Sequence, residues 1–209
     1  EEETVKTEDI HHAMIDTCTD EGTSGHLRVA ARLTRGDIYR QVYGAPKPTP
    51  FSESYTKLVA CGKWKDFGLS FMDLERLNKE FTPTNDKHLE YASLCQFVDK
   101  YLMRAEDTLL ETPSLAQMGI ALDTFFETDG LEHAIEFYHI ISARKINIAT
   151  PIMASSRSGD NGSASCFVYT TGDTGESICA GDTLAYLMSC NRAGIGMDYD
   201  IRSYDDEVQ

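Results

Sequence analysis

The chain has 209 residues, enough for one domain or a domain and a half, and its 41% hydrophobic and 25% charged content are those of an ordinary globular protein. The formal net charge of −15 speaks against an interface with nucleic-acid backbones, which needs clustered Lys and Arg, although backbone N–H groups can still hold one nucleotide's phosphates. No apolar run approaches the roughly 18 residues of a membrane-spanning helix, and the acidic Glu1-Glu-Glu3 start has no apolar signal core, so a cytoplasmic setting away from membranes is expected.

In chain order, Thr7 reads as a helix cap with Glu8 and Asp9 in the first turn, and Ile10, Met14 and Cys18 mark one face. A second helix is expected from about His26 to Tyr43, with Leu27, Ala30, Ala31 and Ile38 at helical spacing. Gly44 and the prolines at 46, 48 and 50 end it and mark the best candidate boundary. Ser70 to Asp73 has capping-box character and opens a helix through Phe81. Another helix is expected from about Leu89 to Arg104, striped by Tyr91, Leu94, Cys95, Val98, Tyr101 and Leu102. Thr112 caps the next one, with Pro113 at its first position, and Leu131 to Ile141 forms a further helix after the break at Asp129-Gly130.

The texture changes after residue 146. Ser155 to Ser165 is rich in Ser and Gly and reads as a loop, Cys166 to Thr170 as a buried strand, and Gly172 to Gly175 as a turn. Ser177 to Asn191 is expected to be helical and Gly194 to Ile201 a second strand, an order that suggests the start of an α/β domain. The six cysteines, at 18, 61, 95, 166, 179 and 190, include no C-x-x-C pair and no zinc-type Cys/His spacing. Reduced thiols are therefore expected, with Cys18, Cys61 and Cys95 acting as small buried hydrophobes, and no metal site.

Ala149-Thr-Pro-Ile-Met-Ala154, Ser165-Cys166, Gly172-Asp173 and Arg192-Ala-Gly-Ile-Gly196, in this order, resemble the front of the large subunit of ribonucleotide reductase. Looser pieces such as Lys6 to His11, Val29 to Leu33, Lys100 to Leu102 and Glu111-Thr-Pro113 extend the resemblance over nearly the whole chain. It implies an N-terminal piece of a class I-like enzyme that makes deoxyribonucleotides. Residues 1–44 would be the remnant of an ATP-binding cone and its exit helix, and 45–160 the helical N-terminal domain. Residues 161–209 would be the first strand–helix–strand of an incomplete ten-stranded α/β barrel.

The resemblance also assigns roles. Cys166 looks like one of two thiols that reduce the ribose and close to a disulfide, since removing a hydroxyl takes two electrons. Thr150, Ser165, Ala193 and Gly194 would line the substrate. Asp173, Thr174, Gly175 and Arg202 would hold an ATP or deoxynucleotide effector with its Mg, a guanidinium suiting paired phosphate oxygens. Read alone, Thr150 fits an ordinary turn and Asp173 a solvated one.

Partners follow from the same resemblance. They are the rest of the large subunit, a second copy through helix 177–191, thioredoxin or glutaredoxin, and a ferritin-like small subunit that supplies the radical cofactor. The Asn-x-Cys-x-Glu segment that carries the family's radical cysteine does not occur in these 209 residues, so the piece is expected to be inert alone. Thr7 and His11 match positions of the ATP cone, but Gln41 stands where a lysine often serves it, and no intact ATP activity site is expected. The rival reading is a non-catalytic nucleotide-binding or assembly protein derived from the same fold.

Overall fold

The computed structural model describes residues 6–159, 164–190, 193–203 and 206. The fold is mainly helical. It divides into two compact units, one of residues 1–148 and 153–161, the other of 149–152 and 162–209.

The first unit opens with α1 (Thr7–Glu21) and α2 (Ser24–Tyr43), which pack against each other. Thr7 is not the cap of α1. It is the first helical residue, and Lys6 holds the cap position without a side-chain bond. The face marked by Ile10 and Met14 also stays about half exposed, and Ile15 is the buried apolar side chain instead. α2 begins two residues earlier than its apolar spacing suggests because the Thr23 hydroxyl accepts the backbone N–H of His26. It ends at Gly44, whose φ of 68° closes the last turn in the left-handed region.

The Pro-rich stretch lies inside this unit and leads straight into α3 (Phe51–Ala60), a helix its prolines conceal from pattern reading. α4 (Phe71–Glu80) carries the expected capping box: Ser70 Oγ accepts from Asp73 N, and the Asp73 carboxylate accepts from Ser70 N at 2.9 Å.

The helix expected over 89–104 is shorter. α5 (Tyr91–Gln96) widens into a π-turn over Phe97–Tyr101, closed by Leu102 N donating to Phe97 O at 2.9 Å. Phe97, which lay off the predicted stripe, is buried at the start of that turn. Arg104 is then extended, in a two-residue hairpin of β1 (Arg104–Ala105) and β2 (Thr108–Leu109).

α6 (Pro113–Phe125) is the centre of the unit, with residues 113–122 all buried. Thr112 caps it as expected, accepting from Leu115 N. α7 (Leu131–Ser142) packs along it. Phe51, Tyr55, Trp64, Phe67, Phe81 and Tyr138 form a chain of ring contacts with centroids 5.8–6.3 Å apart, the tilted and edge arrangements among them suiting aromatic quadrupoles.

Two charged groups sit inside this core. Glu111 and Arg157 are both fully buried. The Glu111 carboxylate accepts from Arg157 Nε (2.7 Å) and Nη2, from Trp64 Nε1, and from Met103 N (2.9 Å), so each oxygen has two donors. Arg157 donates further to Met153 O and Tyr101 O, both at 2.7 Å. Asp86 is the second buried acid, accepting from Ser114 Oγ at 2.6 Å and lying 3.1 Å from the Tyr39 hydroxyl. Burial pushes its carboxyl up to about 7, and the bonds from Ser114 and Tyr39 hold it back only in part.

α8 (Thr150–Ser155) and the 3-10 turn Ser156–Ser158 replace part of the loop expected over 155–165. The buried Arg157 gives that Ser-rich segment an anchor. Residues 160–163 lie outside the described ones.

The second unit contains β3 (Cys166–Thr171), α9 (Gly175–Cys190) and β4 (Gly194–Tyr199). β3 and β4 pair in parallel, with Cys166 opposite Gly194 and Thr171 opposite Tyr199, and α9 packs on both strands. β3 is not the buried strand expected: only Thr171 is buried, and Val168 is 82% exposed. One helix and one partner strand cannot cover both faces of a strand.

Two outcomes test this core. Removing one partner of a buried pair leaves the other charge uncompensated, so Glu111→Ala should lower unfolding free energy by about 3–5 kcal/mol. Adding Arg157→Met to it should restore a large part, and urea unfolding of the two variants makes the comparison. Asp86 behaves differently. Its folded value lies above the unfolded one near 4, so its stabilisation is full below about pH 4 and is lost as pH rises through about 7. Asp86→Asn keeps an acceptor for Ser114 and removes the titration. The stability difference between parent and variant should therefore move in the variant's favour by a few kcal/mol at most between pH 5 and pH 8. A difference that does not change across that range would clear Asp86 as the titrating group.

Candidate functional site

The chemistry-bearing residues of the second unit fall at the two ends of its strand pair. At the N-terminal end, Ser165 precedes β3 and Cys166 is its first residue, both exposed. Gly194 N donates to Ser165 O at 2.8 Å, which ties the start of β4 to that residue. A Cβ added at Gly194 would lie 3.2 Å from Cys166 Sγ and 3.4 Å from Ser165 O. The glycine thus leaves room for the thiol between the strands, a specific form of the close approach read from the Gly-x-Gly spacing. Ser165 Oγ lies 3.7 Å from Cys166 Sγ. Ala193 is held by its N–H to Met188 O at 3.1 Å. Arg192 lies outside the described residues.

At the C-terminal end, Asp173 and Arg202 meet although 29 positions separate them. Arg202 Nη2 donates to Asp173 O at 2.8 Å, and Nε faces the Asp173 carboxylate as an ion pair. Both side chains are largely covered, at 17% and 33% exposure. Thr174 caps α9: its hydroxyl accepts from Ser177 N at 3.1 Å and its carbonyl from Ile178 N at 3.0 Å. Ser177 Oγ in turn accepts from Gly172 N at 2.8 Å, fixing the strand-to-helix turn. Gly175, expected as a turn residue, is the first residue of α9.

Structure therefore joins Asp173, Thr174, Gly175 and Arg202 into one cluster and Ser165, Cys166, Ala193 and Gly194 into another. It does not bring the two together. Five strand steps separate Cys166 from Thr171, a rise of roughly 16 Å. Thr150 opens α8 and is exposed, in a helical turn and not the extended conformation its following proline favours.

The remaining cysteines differ from expectation. Cys61 is exposed at the C-terminal end of α3, and Cys18 and Cys95 are partly exposed, so none is a fully buried hydrophobe. Two positions outside the expected set matter for the unit's shape. A Cβ at Gly181 would lie 2.3 Å from Thr171 Cγ2, and Tyr169 OH donates to Gly181 O. Tyr199 OH donates to Asp182 at 2.9 Å. A small residue facing a strand from mid-helix was the only sequence signal for this contact.

Geometry alone defines a thiol-headed parallel strand–helix–strand that follows a helical domain in the sequence. Comparison with known proteins supplies the family. Residues 87–161 match the family described as ribonucleotide reductase, all-alpha domain. The ribonucleoside-diphosphate reductase subunit alpha of Enterobacteria phage T4 is 33% identical over 177 residues, 81% of this chain and 24% of that protein. That of Helicobacter pylori is 30% identical over 203 residues, 94% of this chain and 26% of that protein. The ribonucleoside-diphosphate reductase 1 subunit alpha of Escherichia coli is 27% identical over 205 residues, 93% of this chain and 27% of that protein. The chain belongs to the ribonucleotide reductase large-subunit family and corresponds to its N-terminal region. It spans about a quarter of the length of these relatives.

The close approach of α9 to β3 yields a direct expectation. Gly181→Ala forces a methyl into Thr171 and should destabilise the second unit by about 1–3 kcal/mol, the range for overpacking. Amide exchange of residues 166–171 should accelerate, while that of α6 stays at the parent rate. Unchanged exchange in β3 would show that the helix moves away at no cost.

Proposed function

We propose that the chain contributes substrate and allosteric effector binding to a ribonucleoside-diphosphate reductase, acting with the remainder of the large subunit. The observation that carries the reading is the separation of two clusters on one parallel strand pair: an exposed thiol at one end, a guanidinium–carboxylate pair beside a helix N-terminus at the other.

Each end suits a different task. Beyond the C-terminal ends of parallel strands is where ligands bind in open α/β sheets, and the first turn of α9 offers backbone N–H groups to an anion. Asp173 holds Arg202 in place there. A nucleotide effector, ATP or a deoxynucleotide with its Mg, would take its phosphates from Arg202 and the helix turn, and its ribose or base from Asp173 and Thr174. At the other end, Cys166 stands clear of the core with Ser165 and Gly194 beside it. It would be one thiol of the pair that delivers two electrons to the ribose and closes to a disulfide. The second thiol and the radical cysteine would come from the remaining polypeptide, and thioredoxin or glutaredoxin would reopen the disulfide. Thr150, Ala193 and Gly194 would border the substrate with Ser165.

The strand pair would be the start of a ten-stranded barrel, whose further strands would cover the exposed faces of β3. α9 leaves Leu184 (38%) and Leu187 (51%) exposed, and their side, with Met188, would pack on a second copy in a two-fold dimer. A ferritin-like small subunit would supply the radical.

Reconstitution of the chain with the rest of a large subunit and a small subunit tests this. Cys166→Ser should abolish dithiol-dependent turnover and leave substrate binding nearly intact. Asp173→Ala should weaken effector binding by about 1–3 kcal/mol, since Arg202 loses the carboxylate that fixes it. Full turnover by Cys166→Ser reassigns that thiol, and parental effector affinity in Asp173→Ala removes the effector site from this turn.

A further inference from the structure

A cluster of basic residues lies in the first unit, on elements that carry none of the residues proposed above for substrate or effector. Arg28, Arg32 and Arg35 recur at i, i+4 and i+7 of α2, which places them along one helix face over roughly 10 Å. They line a cavity of about 560 Å³ together with Lys87 and His88, from the 3-10 turn Pro83–His88. Leu27, Ala31, Leu89 and Tyr91 give the same cavity an apolar and aromatic surface.

Positive charge is concentrated in this grouping. The chain as a whole is acidic, with 34 acidic residues against 19 Lys and Arg. Among the described residues, none of Arg28, Arg32, Arg35 and Lys87 forms a direct ion pair. Among the described residues, Glu90 is the one acid in the cavity lining. Four cations near each other repel one another, Glu90 in the lining and Asp86 acting on Arg35 offset this only in part, and an anion between them reduces it further. Guanidinium forks match phosphate oxygens in pairs, and the cavity lies in the size range of small-ligand sites.

We propose that this cavity binds a small organic phosphate. The phosphate sits among Arg28, Arg32 and Lys87, and an apolar or aromatic body rests on Leu27, Leu89 and Tyr91. The apolar lining separates this reading from simple anion attraction, because a bare phosphate would use only the rim.

Amide NMR titration of the 209-residue chain with phenyl phosphate, inorganic phosphate and phenol tests it. Saturable shifts confined to residues 24–35 and 87–92 are expected with phenyl phosphate, at least tenfold weaker binding with inorganic phosphate, and none with phenol. Arg28 and Arg32 are exposed on the helix surface, so Arg28→Gln/Arg32→Gln should keep the fold and weaken phenyl phosphate at least tenfold. Lys47→Gln/Lys57→Gln, which removes the same charge elsewhere, should leave affinity unchanged. Should the arginine variant not fold, Lys87→Gln gives the same reading with a smaller, threefold or greater, loss. Equal affinity for phenyl phosphate and inorganic phosphate, shifts scattered over the surface, or an equal loss in the lysine control overturns the proposal.

Discussion

The Glu111–Arg157 pair is the constraint on which the helical unit depends. Two full charges in a dry core are unfavourable unless every oxygen and most N–H groups are bonded. Here four donors meet the carboxylate, and the guanidinium spends its other bonds on two backbone carbonyls. The geometry therefore dictates what surrounds it. Trp64 must point its indole N–H inward. The chain at Tyr101 to Met103 must turn so that one residue offers a carbonyl and another an N–H. Gly119 must lack a side chain, because a Cβ there would lie 2.7–2.8 Å from Trp64 and Arg157. A helix, a hairpin edge, an aromatic cluster and the turn after α8 are thus set by a single ion pair.

The four residues that open α6 divide the work. Glu111 receives Arg157, Thr112 caps the helix, Pro113 occupies its first turn without wasting an N–H, and Ser114 donates to Asp86. Tyr43 at the end of α2 adds a hydroxyl contact to Thr112 at 3.3 Å. Tyr39, one turn earlier, donates to Pro83 O at 2.7 Å and faces Asp86. Polar groups inside the unit are consequently arranged in two networks side by side along one helix start. The first holds an ion pair, and the second holds an acid whose carboxyl is pushed up to about 7 by burial. Both acids are buried, and two hydroxyls meet Asp86 where a guanidinium meets Glu111.

Local signals in the sequence marked some of the helix starts and stops. Ser70, Thr112 and Gly44 act as their types predict, because capping depends on neighbours within four residues. Signals failed where distant partners decide. The π-turn at Phe97 has no marker in a 3.6-residue stripe. Arg157 sits in a Ser-rich segment that reads as loop, and its partner is 46 residues away. α1 shows an apolar face that stays exposed, since amphipathicity gives the direction of a stripe but not what covers it. In the second unit the motif pieces were legible as pieces. Their division into two ends of a strand pair, and the pairing of Asp173 with Arg202, needed the register of β3 against β4.

The two units differ in how completely they bury themselves, and this bears on the proposed function. α6 hides ten consecutive residues, whereas β3 and α9 leave Val168, Phe167, Leu184 and Tyr186 substantially in water. Parallel sheets gain their stability from cover on both faces, so a strand pair with one helix opens at lower free energy than the helical core. A thiol on such a strand is positioned only as well as the strand is held. The contacts that hold it here are local: Gly194 N to Ser165 O, the Gly181–Thr171 contact, and the Thr174–Ser177–Gly172 turn. Each fixes an end or a crossing point, and none covers a face. In the proposed assembly, surface supplied by the remaining polypeptide would therefore do more than add missing groups. It would lower the freedom of Ser165 and Cys166, and ordering of the site would be coupled to its completion.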